Sequence, residues 1–142
     1  MLSALGMDVD FITRTKSVND YSKYNFIINA LPLTNETKDY FDKELFGKLN
    51  KNTYIINVGR GETINEQHLY EALQKHEIQG AFLDVVKNEP LQKDNKLLTL
   101  DTVYISPHIA NATKNSLNIQ VEAFIKNLEK YKKNKKMENI IQ

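Results

Sequence analysis

The sequence predicts an α/β fold in which a doubly wound parallel sheet is covered by helices. Short apolar runs closed by polar turns recur along the chain, and segments with helical periodicity lie between most of them. Polar residues suited to chemistry follow three of these runs. Alternation of strands and helices implies a parallel sheet, and such a sheet binds ligands at the carboxyl edge of its strands.

Five apolar runs have the length and composition of short buried strands. Turn-forming residues close the runs, so a loop is expected after each. The predicted strands cover Val9–Ile12, Phe26–Ala30, Tyr54–Val58, Ala81–Val85 and Val103–Ser106.

Helices are predicted at three places by capping residues and apolar periodicity. Asp42 and Asn65 can each cap a helix. The inward residues are Leu45, Phe46 and Leu49 in the first helix and Leu69, Ala72 and Leu73 in the second. The last segment is one long helix, whose apolar stripe recurs every three or four residues and requires a partner surface. That stripe comprises Leu117, Val121, Phe124, Leu128 and Tyr131.

The composition indicates a soluble, cytoplasmic domain with one sizeable core. Of the 142 residues 41% are hydrophobic, and the formal net charge of +1 favours neither nucleic acid nor an acidic membrane as a partner. The chain has no cysteine, which excludes disulfides, thiolate metal sites and a cysteine nucleophile; no metal site is predicted. No apolar run is long enough for a signal peptide or a membrane span. The basic run Lys132–Lys136 is interpreted as a solvated helix end.

The segment Asn57–Gly61 carries the first candidate for chemistry. Its Arg60 is one of only two arginines, the other being Arg14. Two glycines flanking an arginine allow a sharp turn and a close approach of backbone to a ligand, with the guanidinium projecting into the cleft. A plain turn with a surface arginine is the alternative.

Two acidic residues accompany the strand predicted at Ala81–Val85. Asp84 lies within the apolar run, and a buried carboxylate requires a hydrogen-bonding partner. That partner is either an amide or hydroxyl of a ligand or, more simply, the backbone. Glu89 precedes Pro90 just past the strand, and its alternative interpretation is a loop charge.

His108 closes the last predicted strand, within Ser106–Ala110. Histidine exchanges protons near neutral pH, and a neighbouring carboxylate can hold its tautomer, although a lone histidine at a strand end is often structural. His68 and His76 are assigned to the surface of a helix. An arginine, a carboxylate and an imidazole at three strand ends suit the reduction of a 2-keto acid.

Four motifs together resemble the D-isomer 2-hydroxyacid dehydrogenases in order and spacing, over about Leu5 to Tyr131. The resemblance implies a Rossmann-like domain that binds NAD(P). The motifs are Leu31–Thr37, Ile56–Gly61, Gly80–Val85 with Glu89–Leu91, and Ser106–Ala110.

The resemblance also assigns roles to individual residues. Arg60 would hold the substrate carboxylate and carbonyl, His108 would donate the proton in reduction, and Glu89 would orient that imidazole. The full-length protein would be a homodimer that reduces a small 2-keto acid such as glyoxylate or hydroxypyruvate. The residues implied in cofactor binding are Leu31, Pro32, Thr37, Val58, Gly59, Arg60, Asp84, His108 and Ala110.

Two parts of the family pattern are not found in residues 1–142. The chain contains no G-x-G-x-x-G segment, which in this fold receives the cofactor pyrophosphate. The family's second domain, which forms the opposite wall of the cleft, is also not here. Residues 1–142 are therefore expected to be a partial NAD(P)-binding domain with a C-terminal helix, inactive alone. In the strand order 3-2-1-4-5-6, lack of the first strand would separate the strand near Val9 from the one near Tyr54.

Smaller departures from the family pattern are Asn111, where a small residue is common, and Val86, where an aromatic is common.

Cofactor preference is predicted from the turn after Phe11–Ile12. An acidic residue there would bind the adenosine ribose and repel a 2′-phosphate, but this turn has none. Thr13, Arg14 and the residues after them offer hydroxyls and positive charge, which favours NADPH over NADH. A generic basic turn is the alternative.

Two other classes of function fit the same residues. A non-catalytic dinucleotide-sensing protein would use this fold, because transcriptional corepressors share it. A truncated gene product would have no function of its own.

Overall fold

The computed structural model describes residues 2–13, 16 and 18–139. The chain forms two compact units, residues 1–107 and residues 108–142. The first unit has the elements β1 (Phe26–Asn29), α1 (Lys43–Phe46), β2 (Tyr54–Asn57), α2 (Glu66–Gln74), β3 (Gly80–Leu83) and β4 (Val103–Ile105). It also has three single 3₁₀ turns, at Leu2–Leu5, Gly61–Thr63 and Lys96–Thr99. The second unit has one helix, α3 (Ser116–Lys132).

The four strands of the first unit form one parallel sheet in the order β1-β2-β3-β4. The register aligns Asn29 with Asn57, Asn57 with Leu83 and Leu83 with Ile105. All four strands therefore end at the same edge of the sheet, and the predicted α/β class is confirmed. The strands end one or two residues earlier than their apolar runs.

One face of the sheet packs on α1 and α2. Ile55, Ala81 and Leu83 point to this face and are buried together with the apolar residues of both helices. Both predicted caps are present, since the Asp42 side chain accepts from the Leu45 amide at 2.9 Å and that of Asn65 from the His68 amide at 3.1 Å. Each cap contributes about 1 kcal/mol, which helps fix where the helix begins.

The other face of the sheet carries one aromatic ring on each strand. Phe26 and Tyr54 stack with centroids 5.7 Å apart, and Phe82 stacks on Tyr104 at 4.9 Å. Tyr54 and Phe82 complete the row at 5.9 Å. Gly80 makes room for the Tyr54 ring, because a Cβ there would lie 3.0 Å from Tyr54 Cε1. These rings are exposed or half-buried, so the two faces of the sheet differ sharply in burial.

The prediction of a strand at Val9–Ile12 is wrong. This segment is irregular, and Phe11 is 72% exposed. A strand is held by hydrogen bonds to a neighbouring strand, and among the described residues none pairs with the outer edge of β1. The segment is held instead by Asp10, which accepts hydrogen bonds from the Tyr24 hydroxyl at 2.6 Å and the Lys23 ammonium at 3.1 Å. These two bonds, that from Tyr24 first, lower the pKa of Asp10.

The expected position of the gap in the sheet is also wrong. Tyr54 belongs to β2, which pairs directly with β1 on one side and β3 on the other. The strand near Tyr54 is therefore an inner strand, and the edge without a described partner belongs to β1.

The second unit contains the predicted long helix. The stripe residues of α3 are exposed, and in the described part of the chain the helix has no buried residue. The chain turns back after α3, where the Glu138 carboxylate forms ion pairs with Lys126 and Lys130 at 3.2 and 2.6 Å. The Asn127 side chain also bonds to the Glu138 backbone. Among the described residues no helix is both long and apolar enough to cross a lipid bilayer.

Candidate functional site

The loop that carries Arg60 follows β2 at the carboxyl edge of the sheet. The Arg60 backbone is extended, with φ −135° and ψ 138°. Its guanidinium donates to the Gly59 carbonyl at 2.9 Å, and the residue is exposed. Its own carbonyl accepts from the Thr63 hydroxyl at 2.5 Å and from Asn57 Nδ2 at 3.2 Å. The backbone of Arg60 is thus held firmly while its charged group reaches solvent.

Two glycines fit this loop between its neighbours. A Cβ on Gly59 would lie 2.7 Å from the Leu31 carbonyl oxygen, and a Cβ on Gly61 would lie 2.0 Å from the Val86 carbonyl carbon. Real Cβ atoms do not approach backbone so closely. In this structure the two glycines allow the close approach of the neighbouring loops on either side, which the sequence did not predict.

The loop after β1 presents Leu31, Pro32 and Thr37, which the family resemblance implied in cofactor binding. The Thr37 hydroxyl donates to the Pro32 carbonyl at 2.6 Å and accepts from the Thr34 amide at 2.8 Å. These bonds close the loop on itself. The next segment pairs with the residues after Arg60, since the Asp39 amide donates to the Glu62 carbonyl at 2.9 Å. The two predicted cofactor loops are therefore joined through backbone.

Asp84 and Glu89 lie after β3. Asp84 is buried, and its carboxylate accepts a hydrogen bond from the Ser106 hydroxyl at 2.6 Å, so one of its partners is a side chain just after β4. The Asp84 amide donates to the Asn57 carbonyl at 2.9 Å. Glu89 is exposed, and its carboxylate accepts from the Val86 amide at 3.2 Å. A cis peptide bond joins Glu89 to Pro90.

Glu66, which the sequence did not single out, anchors the Glu89 loop. Its carboxylate accepts from the Lys87 amide at 2.7 Å and from Asn95 Nδ2 at 3.2 Å. Because Glu66 is the first residue of α2, this helix start is tied to the loop that follows β3. A glutamate in a first turn is common, so nothing in the sequence indicated this contact.

Asn29 and Asn57 were also missed. They end β1 and β2 at the same register, and both side chains are buried. Asn29 Nδ2 donates to Asn57 Oδ1 at 2.9 Å. The signal was the repeated Ile-Ile-Asn at residues 27–29 and 55–57. It places an amide side chain at the end of each of two neighbouring strands.

The remaining predicted residues lie in other parts of the chain. His108 and Ala110 open the second unit, where both are exposed and His108 has a positive φ of 55°. Thr13 is exposed and exchanges backbone hydrogen bonds with Lys16, while Arg14 lies outside the described residues.

His68 and His76 were both assigned to a helix surface, and each differs from that assignment in one respect. His76 is exposed but lies beyond the end of α2. His68 is half-buried, and its Nδ1 accepts from the Lys43 amide at 3.2 Å. In the described residues no three acidic or histidine side chains cluster in a way that could hold a metal ion.

Comparison with known proteins identifies the type of domain. Residues 1–110 match the family model described as D-isomer specific 2-hydroxyacid dehydrogenase, NAD binding domain. A probable 2-ketogluconate reductase of Dictyostelium discoideum is 43% identical over 107 residues, which are 75% of this chain and 32% of that protein. Glyoxylate/hydroxypyruvate reductase B of Escherichia coli is 46% identical over 89 residues, 63% of this chain and 28% of that protein.

A solved structure shares the fold as well. It is an NADPH-dependent glyoxylate/hydroxypyruvate reductase from Sinorhizobium meliloti in complex with NADP and malonate, with a TM-score of 0.80 and 30% identity. The match covers 92% of this chain and 44% of that chain. The chain spans about a third of the length of the curated relatives it matches.

Proposed function

The chain belongs to the D-isomer specific 2-hydroxyacid dehydrogenases, and we propose that it supplies part of the cofactor domain of an NAD(P)H-dependent reductase of small 2-keto acids. Residues 1–142 form a partial NAD(P)-binding domain with a C-terminal helix, and the domain that completes the substrate cleft lies outside them. One observation carries the proposal. The Arg60 loop is clamped between two neighbouring loops at the carboxyl edge of the sheet, where doubly wound sheets bind ligands.

Arg60, Glu89 and His108 are the proposed catalytic residues. An exposed guanidinium on a fixed backbone suits a carboxylate substrate, because its planar fork donates two parallel hydrogen bonds. As the carbonyl carbon is reduced, the imidazolium of His108 transfers its proton to the carbonyl oxygen and becomes neutral. The role proposed for Glu89 is to keep the imidazole in the tautomer that this transfer requires.

The cofactor supplies the hydride, and the residues at the carboxyl edge fit it. Val58 is 42% exposed and Pro32 is exposed, so the ends of β1 and β2 offer apolar surface for a flat ring. The other residues of this chain proposed to contact the cofactor are Leu31, Thr37, Gly59, Asp84, His108 and Ala110. The solved relative is in complex with NADP and malonate, which supports a dinucleotide as the ligand of this domain.

NADPH is the preferred cofactor in this proposal. Thr13 and Arg14 offer a hydroxyl and a guanidinium to the 2′-phosphate, and the solved relative is NADPH-dependent.

The absence of cysteine supports a reducing compartment such as the cytoplasm. A homodimer is part of the proposal for the complete protein. The aromatic face of the sheet is exposed in the described residues, whereas parallel sheets are normally covered on both faces, so another element of the complete protein or another chain is expected to cover it.

The decisive experiment expresses the complete coding sequence that contains these residues and follows NADPH oxidation with glyoxylate or hydroxypyruvate. We expect turnover, a loss of at least about a hundredfold in kcat/KM for Arg60→Ala, and a similar loss for His108→Ala. Lys51→Ala, an exposed charge before β2 at the opposite edge of the sheet from Arg60, is the control.

Two results would contradict the proposal. If NADPH binds tightly but no 2-keto acid is reduced, the protein is a dinucleotide-sensing protein. If residues 1–142 alone reach the turnover of the complete protein, the assignment of a partial domain is wrong.

A further inference from the structure

The ends of β1 and β2 are joined by a buried network of three polar side chains. Asn29 is 2% exposed, Asn57 is 1% exposed and Thr63 is fully buried. Asn29 Nδ2 donates to Asn57 Oδ1 at 2.9 Å and to the Thr63 hydroxyl at 2.6 Å. Burying amides and hydroxyls is unfavourable unless all are hydrogen-bonded, so a network in this position requires an explanation.

The network forms hydrogen bonds with the backbone of the two candidate ligand loops, which follow β1 and β2. Asn29 Oδ1 accepts from the Leu31 amide at 3.0 Å, and Asn57 Oδ1 accepts from the Gly59 amide at 3.1 Å. The Arg60 carbonyl accepts hydrogen bonds from both Asn57 Nδ2 and the Thr63 hydroxyl. Three backbone groups, one after β1 and two after β2, are therefore fixed by the same three side chains.

Only one arrangement of the two amides satisfies all of these groups. Asn57 Oδ1 receives two donors, and its Nδ2 faces a carbonyl, so a flipped amide would oppose like groups on both sides. The same holds for Asn29, whose oxygen faces the Leu31 amide. Apolar side chains of similar size would fill the volume and leave all three backbone groups without these bonds.

We propose that Asn29, Asn57 and Thr63 are positioning residues that set the spacing between the Leu31 loop and the Arg60 guanidinium. They reach the substrate and cofactor only through backbone, so they are not catalytic residues. This inference rests on the proposed function for its kinetic consequence, but the fixing of the two loops is measurable without it.

Thr53 provides a matched control for Thr63. Both threonines are fully buried, and each hydroxyl donates to a backbone carbonyl, that of Thr53 to Tyr24 at 2.6 Å. Thr53 lies just before β2, at the opposite edge of the sheet from Arg60. Thr63→Val and Thr53→Val therefore each remove a hydrogen bond to a backbone carbonyl, one at the site and one away from it, and Thr63→Val also removes the acceptor of Asn29 Nδ2.

The first measurement is amide hydrogen exchange on the 142-residue chain by NMR. We expect Thr63→Val to speed the exchange of the Gly59 and Leu31 amides about tenfold more than Thr53→Val does. Thr63→Ser keeps the hydroxyl and should restore the wild-type rates. The chain has two arginines, so the Arg60 Nε–H signal can be identified, and it should shift only in Thr63→Val. Should either valine variant fail to fold, Thr63→Ala and Thr53→Ala make the same comparison.

The second measurement is steady-state reduction of glyoxylate by the product of the complete coding sequence. Thr63→Val should raise KM and lower kcat, with a combined loss on the order of ten- to a hundredfold, and Thr53→Val should change neither. Equal effects of Thr63→Val and Thr53→Val in either measurement would overturn the inference. If the wild-type protein has no reductase activity, the proposed function fails, and hydrogen exchange still decides whether the network fixes the loops.

Discussion

Gly61→Ala tests whether the Arg60 loop is clamped as the structure shows. The added Cβ would lie 2.0 Å from the Val86 carbonyl carbon, 2.1 Å from its oxygen and 2.5 Å from the Lys87 nitrogen. All three atoms are backbone, so no side chain can rotate away. Ordinary contact begins at 3.4 Å, and one of the two loops must therefore move by at least about 1 Å.

The cost of that movement is large for a single methyl group. Overpacking of well-packed positions costs about 1–3 kcal/mol, and the upper end applies here because backbone must shift. In a chain of this size about 3 kcal/mol lowers the melting temperature by roughly 10 °C. A displacement of about 1 Å at the site would also reduce kcat/KM by on the order of a hundredfold in the complete protein.

Gly47→Ala is the control for this substitution. Gly47 lies at the end of α1 with φ −65°, and a Cβ there would lie 3.4 Å from the Lys43 carbonyl oxygen, an ordinary contact. Alanine at such a position stabilises by about 0.4–1 kcal/mol through the unfolded state. Thermal and urea unfolding of both variants, followed by circular dichroism, makes the comparison. If Gly61→Ala unfolds within about 0.5 kcal/mol of Gly47→Ala, the argument from close approach is refuted.

Three further predictions concern other contacts. Burial, and then the hydrogen bond to Tyr40, raises the pKa of Tyr21 to about 12 from its usual 10.0. The contribution of protonated Tyr21 to folding stability is therefore present below pH 10.0 and is lost as the pH rises through about 12. Tyr40→Phe should lower the pH at which Tyr21 titrates, measured by absorbance at 295 nm. Ser106→Ala removes a hydrogen-bond donor from the buried Asp84 carboxylate and should cost about 1–3 kcal/mol in urea unfolding, whereas Ser106→Thr should cost less. Arg14→Asp in the complete protein should weaken NADPH far more than NADH, and equal losses in titrations with the two cofactors would show that Arg14 does not contact the 2′-phosphate.

Apolar runs and capping residues correctly predicted the elements that are determined by residues close in sequence. The four strands from Phe26 onward follow apolar runs, and the caps at Asp42 and Asn65 each bond within their own helix turn. Val9–Ile12 has an equally apolar sequence but forms no strand, because a strand also requires a partner that its own residues do not specify. The gap in the sheet was placed beside the strand near Tyr54, but that strand pairs with β1, a contact that its own residues do not specify either.

The sequence predicted which strands the candidate site residues follow better than it predicted their contacts. Arg60 lies after β2 as its motif indicated, whereas Asp84, predicted within the strand, lies just after the end of β3. The contacts that fix them are non-local, since Gly61 meets Val86 and Asn29 meets Asn57 across the sheet. An asparagine after an apolar run is equally typical of an ordinary turn, so the sequence alone does not separate a buried network from a loop.

The strand order has a consequence for how the chain folds during synthesis. Because β1, β2, β3 and β4 neighbour one another in the order in which they are made, each new strand emerging from the ribosome adds to the edge left by the previous one. None of these four strands has to insert between two that have already paired, and contacts between consecutive elements favour rapid folding. The sheet therefore grows in one direction, and the outer edge of β1 remains available to any strand translated before it.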